Sequence, residues 1–145
     1  MADVRRFFDQ RSVMEVDTPI LSHGATIDPH IESFSTYTHG ERLWLHTSPE
    51  FAMKRLLAAG SGDIFQIVHV FRQGEAGRWH NPEFTLLEWY RVGWDQHRLM
   101  DEVSELLSQL LHTQMGQRQS YAQWLSRICG LDIAQSDTSA LQQYV

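Results

Sequence analysis

The chain has 145 residues, 42% of them hydrophobic and 21% charged, with one cysteine and a formal net charge of −6. That length suits one domain with a real core, and the composition excludes a disordered or low-complexity chain. The lone Cys129 excludes an internal disulfide, no apolar run approaches the roughly 20 residues that cross a bilayer, and the acidic balance argues against a protein that works mainly by gripping nucleic-acid phosphate.

The first turns predict a helix, with Val4, Phe7, Phe8 and Arg11 near one face and Arg5 and Arg6 toward solvent. Val13 to Val16 predicts a short strand stopped by Thr18-Pro19, and Ser22 to His30 a loop. Ile31 to Thr38 and Arg42 to His46 predict two strands about the Gly40 turn. Ser48-Pro49-Glu50 then has the chemistry of a helix start: Ser as N-cap, Pro at the first helical position, Glu against the positive end of the dipole. Gly60 should end that helix.

Asp63 to Phe71 alternates and is rich in β-branched and aromatic residues, so a strand is expected. Gln73 to Trp79 is a loop, and Phe84 to Val92 a second strong strand. From Asp95 the period changes to that of a helix, with Leu99, Val103, Leu106, Leu107, Leu110 and Leu111 on one stripe expected to pack in the core. Ser120 should cap a shorter helix ended by Gly130, and another helix begins at about Thr138. Strands followed by helices, not alternating with them, predict an α+β fold with an antiparallel sheet flanked by helices.

Chemistry concentrates between Phe71 and Phe84. An arginine, Arg72, ends one strand; a loop with two glycines follows; His80-Asn81 leads into the next strand. Arg72 suits bidentate contact with phosphate oxygens, and Phe84 offers a stacking face for a planar base. On the second strand, residues 84, 86, 88, 90 and 92 share one face and 85, 87, 89 and 91 the other. Both faces mix polar and apolar groups, so parity alone leaves the core side open. Glu88 and Tyr90 lie on the side of Phe84, a combination that suits an amine beside a nucleobase.

Plainer roles stand beside these. Glu88 and Tyr90 also fit a solvated sheet face, His80 a hydrogen-bonded turn, Asn81-Pro82 ordinary turn chemistry, Glu50 a helix-dipole partner and Cys129 a small buried hydrophobe. The eight histidines are scattered, and no His/Cys/Asp/Glu spacing matches a structural metal site.

Taken together the segments are more specific. Arg72 followed by His80-Asn81-Pro82-Glu83-Phe84-Thr85-Leu86-Leu87-Glu88-Trp89-Tyr90 resembles motif 2 of the class II aminoacyl-tRNA synthetases, in the form used by the lysine-type branch. Glu15-Val16-Asp17-Thr18-Pro19 resembles motif 1, which lies near the dimer interface in that family. Thr47-Ser48-Pro49-Glu50 with Lys54-Arg55-Leu56 resembles the amino-acid-binding element between the two. Within the branch, Met53 to Leu57 and Leu87 to Arg91 are most similar to the paralogues that lack an anticodon-binding barrel and modify a protein, elongation factor P.

The resemblance implies a partial class II catalytic domain over residues 1–145, with motifs 1 and 2 present and motif 3 and an anticodon-binding domain absent. It implies ATP and Mg²⁺ as cofactors, lysine or β-lysine as substrate, elongation factor P as acceptor, a homodimer through the motif 1 region and a cytoplasmic location, with tRNA an unlikely partner. It places Ser48, Pro49, Glu50, Glu88 and Tyr90 around the amino acid, and Arg72, Gln73, Gly74, His80, Asn81 and Phe84 around ATP, Arg72 acting in catalysis and no side chain holding a metal. One departure matters: the family has Asn-Glu after the arginine, where this chain has Gln73-Gly74. Without motif 3, the 145 residues are expected not to complete the reaction by themselves. A lysyl-tRNA synthetase core and a non-catalytic module that keeps the fold are the alternatives.

Overall fold

The computed structural model describes residues 1–130, 132, 136, 137, 139 and 142. It forms two compact units, Met1–Leu106 and Leu107–Val145. The elements in order are α1 (Ala2–Asp9), β1 (Met14–Glu15), β2 (Leu21–Ser22), β3 (Ser35–Thr38), β4 (Glu41–Leu45), α2 (Glu50–Ala58), β5 (Ile64–Phe71), β6 (Glu83–Tyr90), α3 (Gln96–Leu111) and α4 (Tyr121–Cys129). The unit boundary falls within α3. The mixture of helices and sheets is the expected α+β class.

The first unit is organised on the sheet β1-β5-β6. β5 and β6 pair antiparallel over their full length, from Ile64 opposite Tyr90 to Phe71 opposite Glu83. β1 departs from the antiparallel expectation: it runs parallel to β5, with Met14 N–H donating to Asp63 O and Val16 N–H to Phe65 O. A long excursion through β2, β3, β4 and α2 separates the two strands, which is the length a parallel crossover requires. The second sheet, β2-β4-β3, is antiparallel throughout. Its strand β2 lay hidden in the sequence because it is two residues long and wholly exposed.

The core forms where α1 meets the sheet. Val4, Phe7 and Phe8 are buried, the Phe8 ring stacks on Phe65 at 4.6 Å, and Trp89 packs beside it at 5.5 Å. Each such aromatic, fully removed from water, contributes roughly 1.5–3 kcal/mol. Arg11 joins this face as expected: its guanidinium covers the Phe7 ring at 3.6 Å and donates to Phe7 O. Trp89 on the core side fixes the parity that the sequence left open. The even residues of β6 therefore face away from α1.

The helix starts and stripes need corrections. α2 begins at Glu50, with Pro49 in the cap position and no side chain capping it. Ser48 Oγ accepts a long hydrogen bond from Glu50 N–H at 3.4 Å, but from the position before the cap, so Ser48 is not the N-cap residue expected. Gly60, at φ +87°, ends the helix region as expected. In α3 the buried residues are Glu102 and Leu106, while Leu107 and Leu111 are exposed. The leucine stripe is thus only partly core: within the first unit α3 meets the sheet through Glu102, which is anchored to β6.

In the second unit α4 carries the full reciprocal cap. Ser120 Oγ accepts from Gln123 N–H, Gln123 Oε1 accepts from Ser120 N–H, and Gly130 closes the helix in the left-handed conformation. Cys129 is half-buried, not the buried hydrophobe expected. The helix expected from Thr138 falls on a stretch where only Ser139 and Gln142 are described, both helical.

Candidate active site

The even face of β6 opens onto a cavity of about 590 Å³. Leu86 and Glu88 form its floor. Thr47, Ser48, Glu50 and Phe51, where β4 turns into α2, form one wall; Thr26 to Pro29 and Ile31 form the other, and Arg72 closes an end. These walls meet because β6 alternates its side chains and α2 starts immediately after β4.

Glu88 and Tyr90, two apart on the strand, point the same way, and the Tyr90 hydroxyl donates to Glu88 Oε1 at 2.5 Å. Burial holds the Tyr90 phenol well above its ordinary value; the bond to Glu88 and the charges of Glu88 and Glu50 push it the same way. Tyr90 is therefore a neutral donor through the physiological range. Glu50 lines the cavity, but its Oε1 already holds Lys54 Nζ at 2.5 Å along the helix.

Beside Glu88, on the same face of the sheet, lies its cross-strand neighbour Gln66, 1% exposed. Its Oε1 accepts from Thr18 Oγ1 at 2.9 Å, which fixes the carboxamide, while Nε2 has no protein partner among the described residues. Nothing in the sequence singled this residue out.

Arg72 is held from three directions. Its N–H donates to Pro82 O at 2.9 Å and its Nε to Thr47 O at 3.3 Å, while its guanidinium lies 5.1 Å from the centre of the Phe84 ring. Two of its nitrogens remain for a ligand, apart from a looser ion pair to Glu75 at 3.8 Å. Gln73 N–H donates to Glu32 O, tying this strand end to the segment before β3. Gly74 follows at φ +79°, a left-handed conformation that strains any residue with a Cβ. The Gln73-Gly74 departure is thus built into the turn, and Glu75 brings a carboxylate to Arg72 from the next position.

The expected site residues divide accordingly. Ser48, Glu50, Arg72 and Glu88 line the cavity; Tyr90 joins through Glu88, and Phe84 lies against Arg72. Pro49 is buried and lines a smaller neighbouring cavity of about 150 Å³. Gln73, Gly74, His80 and Asn81 do not line the main cavity. The backbones of His80 and Gly77 bond to each other and close the connecting loop, with His80 and Asn81 exposed. The wall from Thr26 to Ile31, together with Phe51 and Leu86, was missed. Strand parity held the signal for Leu86, but the loop wall has no local signature.

No cluster of three His, Cys, Asp or Glu side chains suited to a metal ion occurs among the described residues. No described helix is long and apolar enough to cross a membrane.

The fold agrees with what the chain is similar to. Residues 1–139 match the family of class II tRNA synthetases of the D, K and N type, and the chain belongs to that family. Among curated relatives, the elongation factor P–(R)-β-lysine ligase of Vibrio atlanticus is 50% identical, over 97% of this chain and 45% of that protein. The proteins of the same name from Pasteurella multocida and Yersinia enterocolitica are 47% and 48% identical, over 97% and 99% of this chain and 46% of each relative. The chain spans less than half the length of these relatives.

Proposed function

We propose that the chain supplies the amino-acid side and the motif 2 phosphate contact of an ATP-dependent ligase that activates lysine or β-lysine and passes it to a lysine of elongation factor P. The observation that carries this reading is Glu88, hydrogen-bonded by Tyr90, in the same cavity as Arg72. An anionic acceptor backed by a neutral phenol fits an ammonium group, and a stacked guanidinium at the cavity end fits phosphate.

In this reading the substrate carboxylate attacks the α-phosphorus of ATP and pyrophosphate leaves, giving an aminoacyl-adenylate. Arg72 stabilises the charge that grows on the phosphate oxygens, its fork held in place by Thr47 and Phe84. Glu88 and Glu50 hold the substrate's amino groups, Ser48 and Pro49 shape the wall beside them, and Phe84 stacks the nucleobase. Gln73, Gly74, His80 and Asn81 contact ATP from the connecting loop, where Mg²⁺, if bound, would supply charge neutralisation at the phosphates. The acceptor's lysine amine then displaces AMP from the adenylate, forming an amide. Catalysis is mainly positioning and electrostatics, so no nucleophilic Ser or Cys is needed. A homodimer through the segment Glu15 to Pro19 and a cytoplasmic location complete the reading.

Incubating a whole relative with ATP, Mg²⁺ and labelled β-lysine or lysine tests the acceptor. Label on elongation factor P and none on tRNA is expected; label on tRNA alone contradicts the reading. Binding of the same amino acids to the 145-residue chain, with norleucine as the monoamine control, tests the pocket itself.

A further inference from the structure

We propose that Asp28, on the loop wall of the cavity, determines specificity by binding the amine nearer the carboxylate of a diamino acid. This rests on the reading of the cavity as an amino-acid site and assigns it a contact beyond Glu50 and Glu88. The cavity lining carries three carboxylates, Asp28, Glu50 and Glu88, against one guanidinium, Arg72. Their commitments differ. Glu50 is answered by Lys54 on its own helix, and Glu88 has the Tyr90 hydroxyl. Asp28 forms no ion pair among the described residues; its Oδ1 accepts from His30 N–H at 2.9 Å, which leaves Oδ2 for a ligand.

The loop that carries Asp28 is anchored at one end of the cavity. Four residues on, Glu32 is bridged to Gln73, immediately after Arg72. Glu88 lies four residues along β6 from Phe84, whose ring Arg72 covers, or roughly 13 Å at about 3.4 Å per residue. The loop that carries Asp28 is thus anchored at the phosphate end, where the substrate carboxylate must react, while Glu88 lies farther along the strand. Two anionic groups spaced along one cavity favour a ligand with two ammonium groups over one with a single terminal amine. The loop wall, not the strand, then sets where the nearer amine must sit.

The bond from His30 gives Asp28 a structural role as well, and Asp28→Asn separates the two. Asparagine keeps an oxygen for the His30 N–H and loses only the charge. Calorimetric titration of the chain with β-lysine, lysine and 6-aminohexanoate, which lacks the nearer amine, is the experiment. In Asp28→Asn the affinity for the better diamino acid should fall about tenfold and that for 6-aminohexanoate stay within about twofold, with an unchanged Tm. Equal affinities for all three ligands in variant and parent overturn the inference and leave the amino-acid site standing. An equal loss for all three also overturns it, making Asp28 a purely structural residue. A parent chain that binds none of the three overturns the site and this inference together.

Discussion

Glu102 and Glu88 meet β6 on its opposite faces, and the protein treats them in opposite ways. Glu102 is 3% exposed and saturated: Trp89 Nε1 donates to it at 3.0 Å, Arg91 at 2.6 to 3.1 Å, and Arg11 approaches at 3.9 Å. Arg91 also holds Asp63 at 2.9 Å and lies 4.3 Å from the Trp94 ring centre. Glu88, on the cavity floor with Leu86, has Tyr90 as its one side-chain hydrogen-bond partner among the described residues and faces the cavity. Two faces of one strand thus divide the labour. A carboxylate whose lone pairs are all answered locks α3 onto the sheet; one left partly unanswered is available to a ligand.

The contrast is broken most severely from the closed side. Arg91→Met removes the main partner of buried Glu102, leaving only Trp89 Nε1 and the 3.9 Å approach of Arg11, and breaking a buried pair typically costs about 3–5 kcal/mol. Urea denaturation should show that loss, and adding Glu102→Leu should recover a large part of it. A loss below about 1 kcal/mol would mean the network is not structural. On the open side, Arg72→Lys keeps the charge but not the planar fork, so ATP affinity should fall about tenfold with little change in Tm. A fall in Tm large enough to account for the binding loss would assign Arg72 to the fold.

Two smaller effects sharpen the picture. Ser120→Ala removes one half of the α4 capping box and should cost that helix about 1 kcal/mol, visible as lost helicity by circular dichroism, with ligand binding untouched. For Tyr90 the sign follows from its raised folded value. The unfolded phenol ionises near 10.0 while the folded one keeps its proton, so Tyr90's contribution to stability is full below that pH and is lost as pH rises through the folded value. Ultraviolet titration should show a phenol step above pH 10 that Tyr90→Phe deletes. The same profile before and after that substitution would remove Tyr90 from the shielded pocket.

Much of this organisation was legible in the sequence, and the gaps have physical causes. Val4, Phe7 and Phe8 fall at helical spacing and α1 buries them together. The alternation of Ile64 to Phe71 and the turn chemistry of Gly40, Ser120 and Gly130 are local signals, and the structure uses each of them. The faces of β6 were ambiguous because Trp89 and Arg91 on one side and Glu88 and Tyr90 on the other each mix polar with apolar groups. Only the partners from α1 and α3 separate them. The loop wall from Thr26 to Ile31 is nearly sixty residues from Glu88 in sequence, so no local pattern could bring Asp28 to it. The stripe in α3 misled because a buried, fully paired Glu102 replaces a leucine as the docking contact.

The most direct test of the division between the faces is one titration on three proteins: parent, Glu88→Gln and Glu102→Gln, each with β-lysine and lysine, alongside urea denaturation. Glu88→Gln should keep the Tyr90 hydrogen bond and the stability, yet bind the amino acid well over tenfold more weakly, on the order of 2–3 kcal/mol for a lost charge-assisted contact. Glu102→Gln should show the reverse, a clear loss of stability with affinity retained in whatever protein remains folded. Unchanged binding in Glu88→Gln, at unchanged stability, would contradict the assignment of the open face as the amino-acid site.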